Sequence, residues 1–159
     1  MRLDEYLSVI PKVEYLPAFD PKFSTGWTGI KALWYEGAAH HNKPTKVFAY
    51  IGYPEMNEED KIPAVVLVHG GGGHAYAQWI KLWNERGYAA IAMDTEGSFP
   101  AKAWKGLTGT EREDAEYVKE LYDELSDETY TVGPSNIGME TSSLPLDEQW
   151  MYHAVIDTI

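Results

Sequence analysis

The sequence predicts an α/β domain with a mainly parallel sheet and an antiparallel first pair of strands. Residues 64–68, AVVLV, form a continuous β-branched run typical of a strand buried on both faces. A helical pattern over 75–87 and a strand pattern over 88–94 follow, which makes a βαβ unit. Two earlier strands are predicted at 29–37 and 46–54, because a segment rich in Gly, Asn and Pro separates two β-rich runs.

The helix predicted at 75–87 is supported by the spacing of its apolar residues and by its end. Gly87 stands where a C-terminal cap belongs. Four aromatic or aliphatic side chains fall at helical spacing: Tyr76, Trp79, Ile80 and Trp83. We therefore assign the two tryptophans to packing of this helix on the sheet.

The remaining segments flank this unit. The sequence predicts an irregular N-terminal arm over residues 1–27 and the α/β domain over residues 28–159. Residues 111–128 hold nine acidic residues and predict a solvated helix with Val118 on its apolar stripe. A last helix is predicted from Asp147, its cap, with an apolar side formed by Met151, Ala154, Val155 and Thr158.

Composition excludes several classes of function. The chain has 159 residues, with 13 Lys and Arg against 25 Asp and Glu, a net charge of −12. This acidity argues against nucleic acid and against anionic membranes as partners. The absence of cysteine excludes disulfides and thiolate metal sites. No apolar run suits a membrane helix or a signal peptide, so we predict a cytoplasmic protein.

Four consecutive glycines, Gly70 to Gly73, stand between the buried strand and the helix. Such a turn offers backbone N–H groups at a helix N-terminus, where negative charge is favoured. A Walker phosphate loop would need Lys and Ser or Thr, but the chain continues His74-Ala75-Tyr76. Two uses remain open, a dinucleotide site and an oxyanion hole.

The dinucleotide hypothesis rests on an incomplete motif. Ala75 stands where the third glycine of Gly-x-Gly-x-x-Gly belongs, a tolerated exchange. Asp94 follows the next strand at the distance expected of a ribose-binding acid. The oxyanion hypothesis needs only a pair of N–H groups aimed at the alkoxide of an acyl-transfer intermediate.

The whole segment resembles a known superfamily. His-Gly-Gly-Gly after a buried strand is the oxyanion motif of lipases and esterases of the α/β-hydrolase fold. The chain is most similar to the acetylxylan esterase and dienelactone-hydrolase-like group. Three stretches carry the resemblance: GIKALWYEG…KPTKVFAYIGYP, PAVVLVHGGGGHAYAQWIKLWNERGYAAIAMD and LDEQWMYHAVIDTI. The resemblance implies helices on both faces of the sheet, with the strand at 88–94 lying between those at 46–54 and 64–68.

The resemblance also implies roles for individual residues. The N–H of Gly71 is the expected oxyanion donor and that of Gly72 the next candidate. His69 would orient the turn, or would close its strand by bonding backbone. Three further side chains are candidates for lining the acyl pocket, together with Asp94: His74, Glu96 and Ser98. A surface position for His74 and loop capping by Asp94 are the competing interpretations.

The sequence departs from the family at the nucleophile. It contains no Gly-x-Ser-x-Gly, and the Ser-Asp-His triad is expected beyond the helix that still runs at Ile159. The predicted function is therefore the N-terminal portion of a serine-dependent carboxylic-ester hydrolase, acetyl esterase-like, that acts on a small ester without cofactor or metal. The chain alone is predicted to be inactive. The alternatives are a non-catalytic α/β interaction module and a nucleotide-binding α/β domain.

Two further expectations concern partners and metals. The strand at 64–68 would keep one bare apolar edge, which the missing C-terminal half or another copy would cover. His40 and His41 lie in the loop between the first two strands, and no third ligand is expected near them.

Overall fold

The elements of the fold come from a computed structural model. It describes residues 7–17, 25–57, 59–70, 73–95, 97, 99–100, 117–118 and 142–159. The strands are β1 (Val13–Tyr15), β2 (Ile30–His40), β3 (Lys43–Gly52), β4 (Ala64–Val68), β5 (Ala89–Met93), β6 (Phe99–Pro100) and β7 (Tyr117–Val118). The helices are α1 (Ala77–Asn84) and α2 (Trp150–Ile156), and a 3-10 turn, Leu146–Glu148, precedes α2.

A mixed five-stranded sheet forms the centre of the described fold. Its order is β1-β2-β3-β5-β4, and β6 pairs with β7 separately. Only β4 and β5 run parallel, whereas the other three pairings of the five-stranded sheet are antiparallel. The prediction of a mainly parallel sheet is therefore wrong. The physical reason is that one helical crossover, through α1, makes one parallel pair, and β5 then runs antiparallel to its other neighbour, β3.

The position of β5 between β3 and β4 confirms the expected strand order. Within the described residues, this leaves β4 paired on one side only. Val65 and Leu67 pack against the core beneath α1, whereas Val66 and Val68 are 49% and 44% exposed on the opposite face. The prediction that this strand is buried on both faces is wrong, because its second face has little cover.

The two described helices pack on opposite faces of the sheet, as predicted. α1 lies on the face that includes Phe48 and Tyr50. α2 lies on the other face, where Leu33 and Met93 are buried. The segment after α2 is bonded to β2: the Ala38 N–H donates to Asp157 Oδ1 at 2.6 Å. Neither helix has the length and hydropathy needed to cross a membrane.

The end of α1 follows the sequence prediction. Gly87 has a φ of +83°, which favours glycine. Its N–H donates to Asn84 O, and the Tyr88 N–H donates to Trp83 O. This pair of bonds is the Schellman motif. Ile80 is fully buried and Trp83 packs against the core, as expected for the apolar stripe, whereas Trp79 stacks on Tyr76, which itself packs against that core.

The β2–β3 connection is shorter than predicted. His41 and Asn42 have φ values of 51° and 61°, and His40 pairs with Lys43. Two successive left-handed residues make the tight turn that suits the twist of a hairpin. The strands therefore continue to His40 and resume at Lys43, whereas the sequence predicted a loop over 38–45.

Other elements also differ from expectation. Three residues of the N-terminal arm form β1, which extends the sheet along β2. Val118, expected on a helical stripe, lies in β7 and pairs with Phe99, while 111–116 and 119–128 lie outside the described residues. α2 begins later than predicted, because Asp147 belongs to the 3-10 turn and Gln149 is the N-cap.

Candidate functional site at the ends of the parallel strands

His69 and Thr95 follow β4 and β5 at their carboxyl ends, the edge where α/β sheets hold ligands. The buried His69 ring accepts a hydrogen bond at Nε2 from the Thr95 N–H at 3.0 Å. Its Nδ1–H therefore donates to Gly70 O, 2.8 Å away. His69 thus bonds backbone on both sides, and through Gly70 it also fixes the start of the glycine turn.

The glycine turn is anchored at its two described ends. The Gly73 N–H donates to Gly70 O at 2.9 Å. A Cβ added to Gly73 would stand 2.7 Å from His69 Nδ1 and 2.9 Å from Gly70 O, so no larger residue fits there without movement. Gly71 and Gly72, the predicted oxyanion donors, lie between these anchors and outside the described residues.

A groove of about 350 Å³ opens beside His69. The sheet contributes Val68, His69 and Thr95, and α2 with the residues after it contributes Trp150, Met151, Ala154, Val155, Thr158 and Ile159. The Trp150 indole N–H donates to Thr95 O at 2.6 Å and holds α2 against the strand ends. The volume and the apolar lining suit a small organic ligand.

The other predicted pocket residues do not gather at this groove. His74 is half-buried just before α1, with its ring 4.1 Å from that of Tyr76, and it does not line the groove. Glu96 and Ser98 lie outside the described residues.

Asp94 is buried, and its Oδ2 lies 3.5 Å from His69 Nε2. Its N–H donates to Phe48 O at 2.8 Å. The Asp94 side chain is 1% exposed, so its carboxyl does not stand on a surface where it could meet a ribose, and the dinucleotide hypothesis loses this support.

Sequence reasoning missed a second group of side chains at the β2–β3 hairpin. Glu148 Oε2 lies 3.3 Å from His40 Nε2, and Glu148 Oε1 lies 3.0 Å from His41 Nε2. The expectation that no third ligand lies near the two histidines is therefore wrong. The structure brings Glu148 from more than a hundred residues away, and no local spacing in the sequence signals that contact.

Burial and hydrogen bonding perturb the titration of groups near this hairpin. Desolvation raises the pKa of Glu148, but the hydrogen bonds from His40 and His41 outweigh it, so the pKa lies below its ordinary value. Burial lowers the pKa of His153, whose Nε2 lies 2.8 Å from Asp147 O.

Asp157, directly after α2, is a carboxyl whose pKa is strongly raised. Burial raises its pKa from 3.8 to about 7, although the hydrogen bond from the Ala38 N–H opposes that change. The Tyr35 hydroxyl donates a hydrogen bond to the backbone oxygen of Asp157 at 2.7 Å. Burial raises the pKa of Tyr35, and the negative charges of Asp157 and Asp94 raise it further.

Comparison with known proteins gives no family assignment. No protein-family model matches the sequence, and no curated protein is significantly similar to it. The hydrolase resemblance therefore rests on the residues of the glycine turn and the elements around it.

Proposed function

We propose that this chain supplies the oxyanion turn of a serine-dependent carboxylic-ester hydrolase that acts on a small ester. The observation that carries the proposal is the anchoring of the His69–Gly73 segment at the carboxyl end of a parallel strand. His69 fixes Gly70 O, and the Gly73 N–H closes the turn on the same oxygen. A preorganised turn of this kind costs little reorganisation when charge develops beside it.

In this proposal the N–H groups of Gly71 and Gly72 face the carbonyl oxygen of the ester. A serine hydroxyl attacks the carbonyl carbon, its proton passes to a histidine, and the oxygen takes up the negative charge that the N–H groups stabilise. The alcohol leaves with that proton, and water then releases the acid. The turn therefore acts on the transition state more than on the bound substrate.

The nucleophile is proposed to come from a partner segment. The sequence has no Gly-x-Ser-x-Gly, and among the described residues β4 has an open edge next to the groove. A strand added to that edge would end beside His69, which is where a nucleophile must stand to share a substrate with the turn. We propose that this partner is a further polypeptide segment that carries the nucleophile. Another copy of the chain could cover the edge of β4 but would lack the motif as well.

An interaction module without catalysis would use the same open edge, so activity must separate the two proposals. The experiment is to purify the protein in its native assembly, measure hydrolysis of 4-nitrophenyl acetate, and label it with a serine-reactive phosphonate. We expect hydrolysis and one labelled serine outside residues 1–159. An assembly that neither hydrolyses the ester nor takes up label would overturn the hydrolase proposal and favour the interaction module.

A nucleotide-binding domain is tested in the same preparation. A thermal-shift screen with nucleotides should leave the melting temperature unchanged, because a ligand stabilises a protein only if it binds the folded state specifically. A saturable rise with one nucleotide would replace the hydrolase proposal.

A further inference from the structure

The β2–β3 hairpin and the 3-10 turn before α2 bring together two imidazoles and one carboxylate. Glu148 Oε2 lies 3.3 Å from Nε2 of both His40 and His41, and Glu148 Oε1 lies 3.0 Å from His41 Nε2. The two rings stack with their centroids 3.9 Å apart. The three ligand atoms all lie within 4.8 Å of one another.

We propose that His40, His41 and Glu148 bind a divalent transition-metal ion, with Zn²⁺ the best match. Two imidazole nitrogens and a carboxylate oxygen are ligands that zinc takes in proteins. A zinc ion bonded at about 2.0–2.1 Å holds tetrahedral ligand atoms about 3.3–3.4 Å apart. Glu148 Oε2 lies 3.3 Å from each of the two Nε2 atoms, which already matches that edge length.

The exposure of the three side chains fits a site that is closed on one side. The His40 side chain is 10% exposed, that of Glu148 35% and that of His41 61%. A metal ion would therefore rest on a fixed inner imidazole and keep an outer face open to water. Before an ion binds, hydrogen bonds to the shared Glu148 carboxylate hold the two rings in place. An ion that bonds to Nε2 of either ring must displace the proton from that nitrogen.

His153 is a second, independent observation at this place. It is buried, and its ring meets the His40 ring edge-on with centroids 5.4 Å apart. Since Nε2–H donates to Asp147 O at 2.8 Å, the lone pair is on Nδ1, which is buried without a hydrogen-bond partner among the described residues. Histidines that bind metals are oriented by such a bond from the other ring nitrogen. Nδ1 lies outside the group of ligand atoms within 4.8 Å of one another, so it would become a fourth donor only if its ring moved toward the ion.

Metal binding here would join two distant parts of the chain. His41 and Glu148 are 107 residues apart in the sequence, and a shared ion would hold the β2–β3 hairpin against the start of α2. The ion therefore stabilises the folded state by mass action. This proposal does not depend on the ester hydrolase, because stability and metal content report it without any activity.

The test uses the protein stripped with a chelator, then titrated calorimetrically with ZnCl₂. The variants H41A and E148Q remove ligands at partly exposed positions, and the melting temperature of each variant without metal shows what alanine costs at the left-handed residue 41. H74A is the matched control, since His74 lies beside Tyr76, away from the hairpin. The chain has five histidines and no cysteine, so no thiolate competes for the metal.

We expect one Zn²⁺ per chain and a higher melting temperature with metal. H41A and E148Q should each weaken binding by at least about tenfold, by analogy with losses around metal sites, while H74A should bind as the wild type does. The absence of stoichiometric binding, or equal binding by wild type, H41A and E148Q, would overturn the proposal.

Cobalt provides a spectroscopic test of the ligand set. Co²⁺ added to the stripped protein should give the strong visible absorption of a low-coordinate site, and H153Q should change that spectrum while H74A does not. A spectrum that H153Q leaves unaltered would remove His153 from the site. Octahedral Co²⁺ spectra in every variant would contradict the proposed closed geometry.

Discussion

The Thr95 N–H donates to His69 Nε2 across 3.0 Å, and this bond joins the ends of the two parallel strands. The same ring donates to Gly70 O from its other nitrogen. One buried side chain thus couples the end of β5 to the beginning of the glycine turn. The proposed function depends on that coupling, because the N–H groups of an oxyanion hole must be held in place before the substrate arrives.

Replacing His69 should destabilise the protein. H69A leaves the Thr95 N–H and one acceptor position of Gly70 O without their bonds, and an unmade buried hydrogen bond costs about 1–3 kcal/mol. Urea unfolding should show that loss, whereas H74A, beside the same turn, should lose less. An H69A variant as stable as H74A would show that the ring does not brace the strand ends.

Gly73 and Gly70 should respond differently to alanine. A Cβ on Gly73 would meet His69 Nδ1 and Gly70 O at under 3 Å, but one on Gly70 would meet no atom of the described residues within 4 Å. G73A should therefore lose about 1–3 kcal/mol of unfolding free energy by overpacking, and G70A much less. Thermal or urea unfolding of the pair provides the measurement, and equal stabilities would contradict the described turn.

Asp157 should make stability fall as pH rises from about 4 to about 7. Its pKa is raised to about 7 in the folded state from 3.8, so between these values the folded protein binds more protons than the unfolded chain. Stability then decreases with pH, by up to about 1.4 kcal/mol per pH unit, and the effect ends above pH 7.

The matched variant is D157N, whose amide oxygen can still accept the Ala38 N–H. Urea unfolding at several pH values should show a flatter profile for D157N than for the wild type over that window. Parallel profiles for the two proteins would mean that Asp157 ionises normally in the folded state.

The open edge of β4 should promote self-association of the isolated chain. Val66 and Val68 are about half exposed, and an unpaired apolar strand edge is a template for pairing with another chain. V66K and V68K should shift sedimentation toward the monomer. L82K is the control, because Leu82 is equally exposed on α1 and not on a strand edge. A wild-type chain that sediments as one monomeric species would contradict this prediction.

The sequence predicted the elements that carry strong local signals. α1 was predictable because its apolar stripe and Gly87 agree on one helix end. The order of β3, β5 and β4 followed from the resemblance, and the pairings confirm it. The number of parallel strand pairings was overestimated, because a β-branched run indicates a strand but not the direction of its neighbours.

The features that the sequence did not reveal depend on contacts between distant residues. The tight turn at His41 and Asn42 lacks the glycine that usually marks such a hairpin, so the strands looked shorter than they are. Glu148 meets the hairpin only because α2 packs on that face of the sheet. The motif singled out His69 in the sequence. The hydrogen bonds that its ring makes with Gly70 O and the Thr95 N–H became visible only in the structure, which brings the ends of the two strands together.

The central claim, that the glycine turn supplies oxyanion N–H groups, is tested most directly by proline. In the native assembly, G71P and G72P each delete one N–H, and G71A and G72A keep it. We predict that at least one proline variant loses kcat for 4-nitrophenyl acetate by about 10²–10³ relative to its alanine counterpart, with KM little changed. Proline variants that both keep the kcat of their alanine counterparts would contradict the claim.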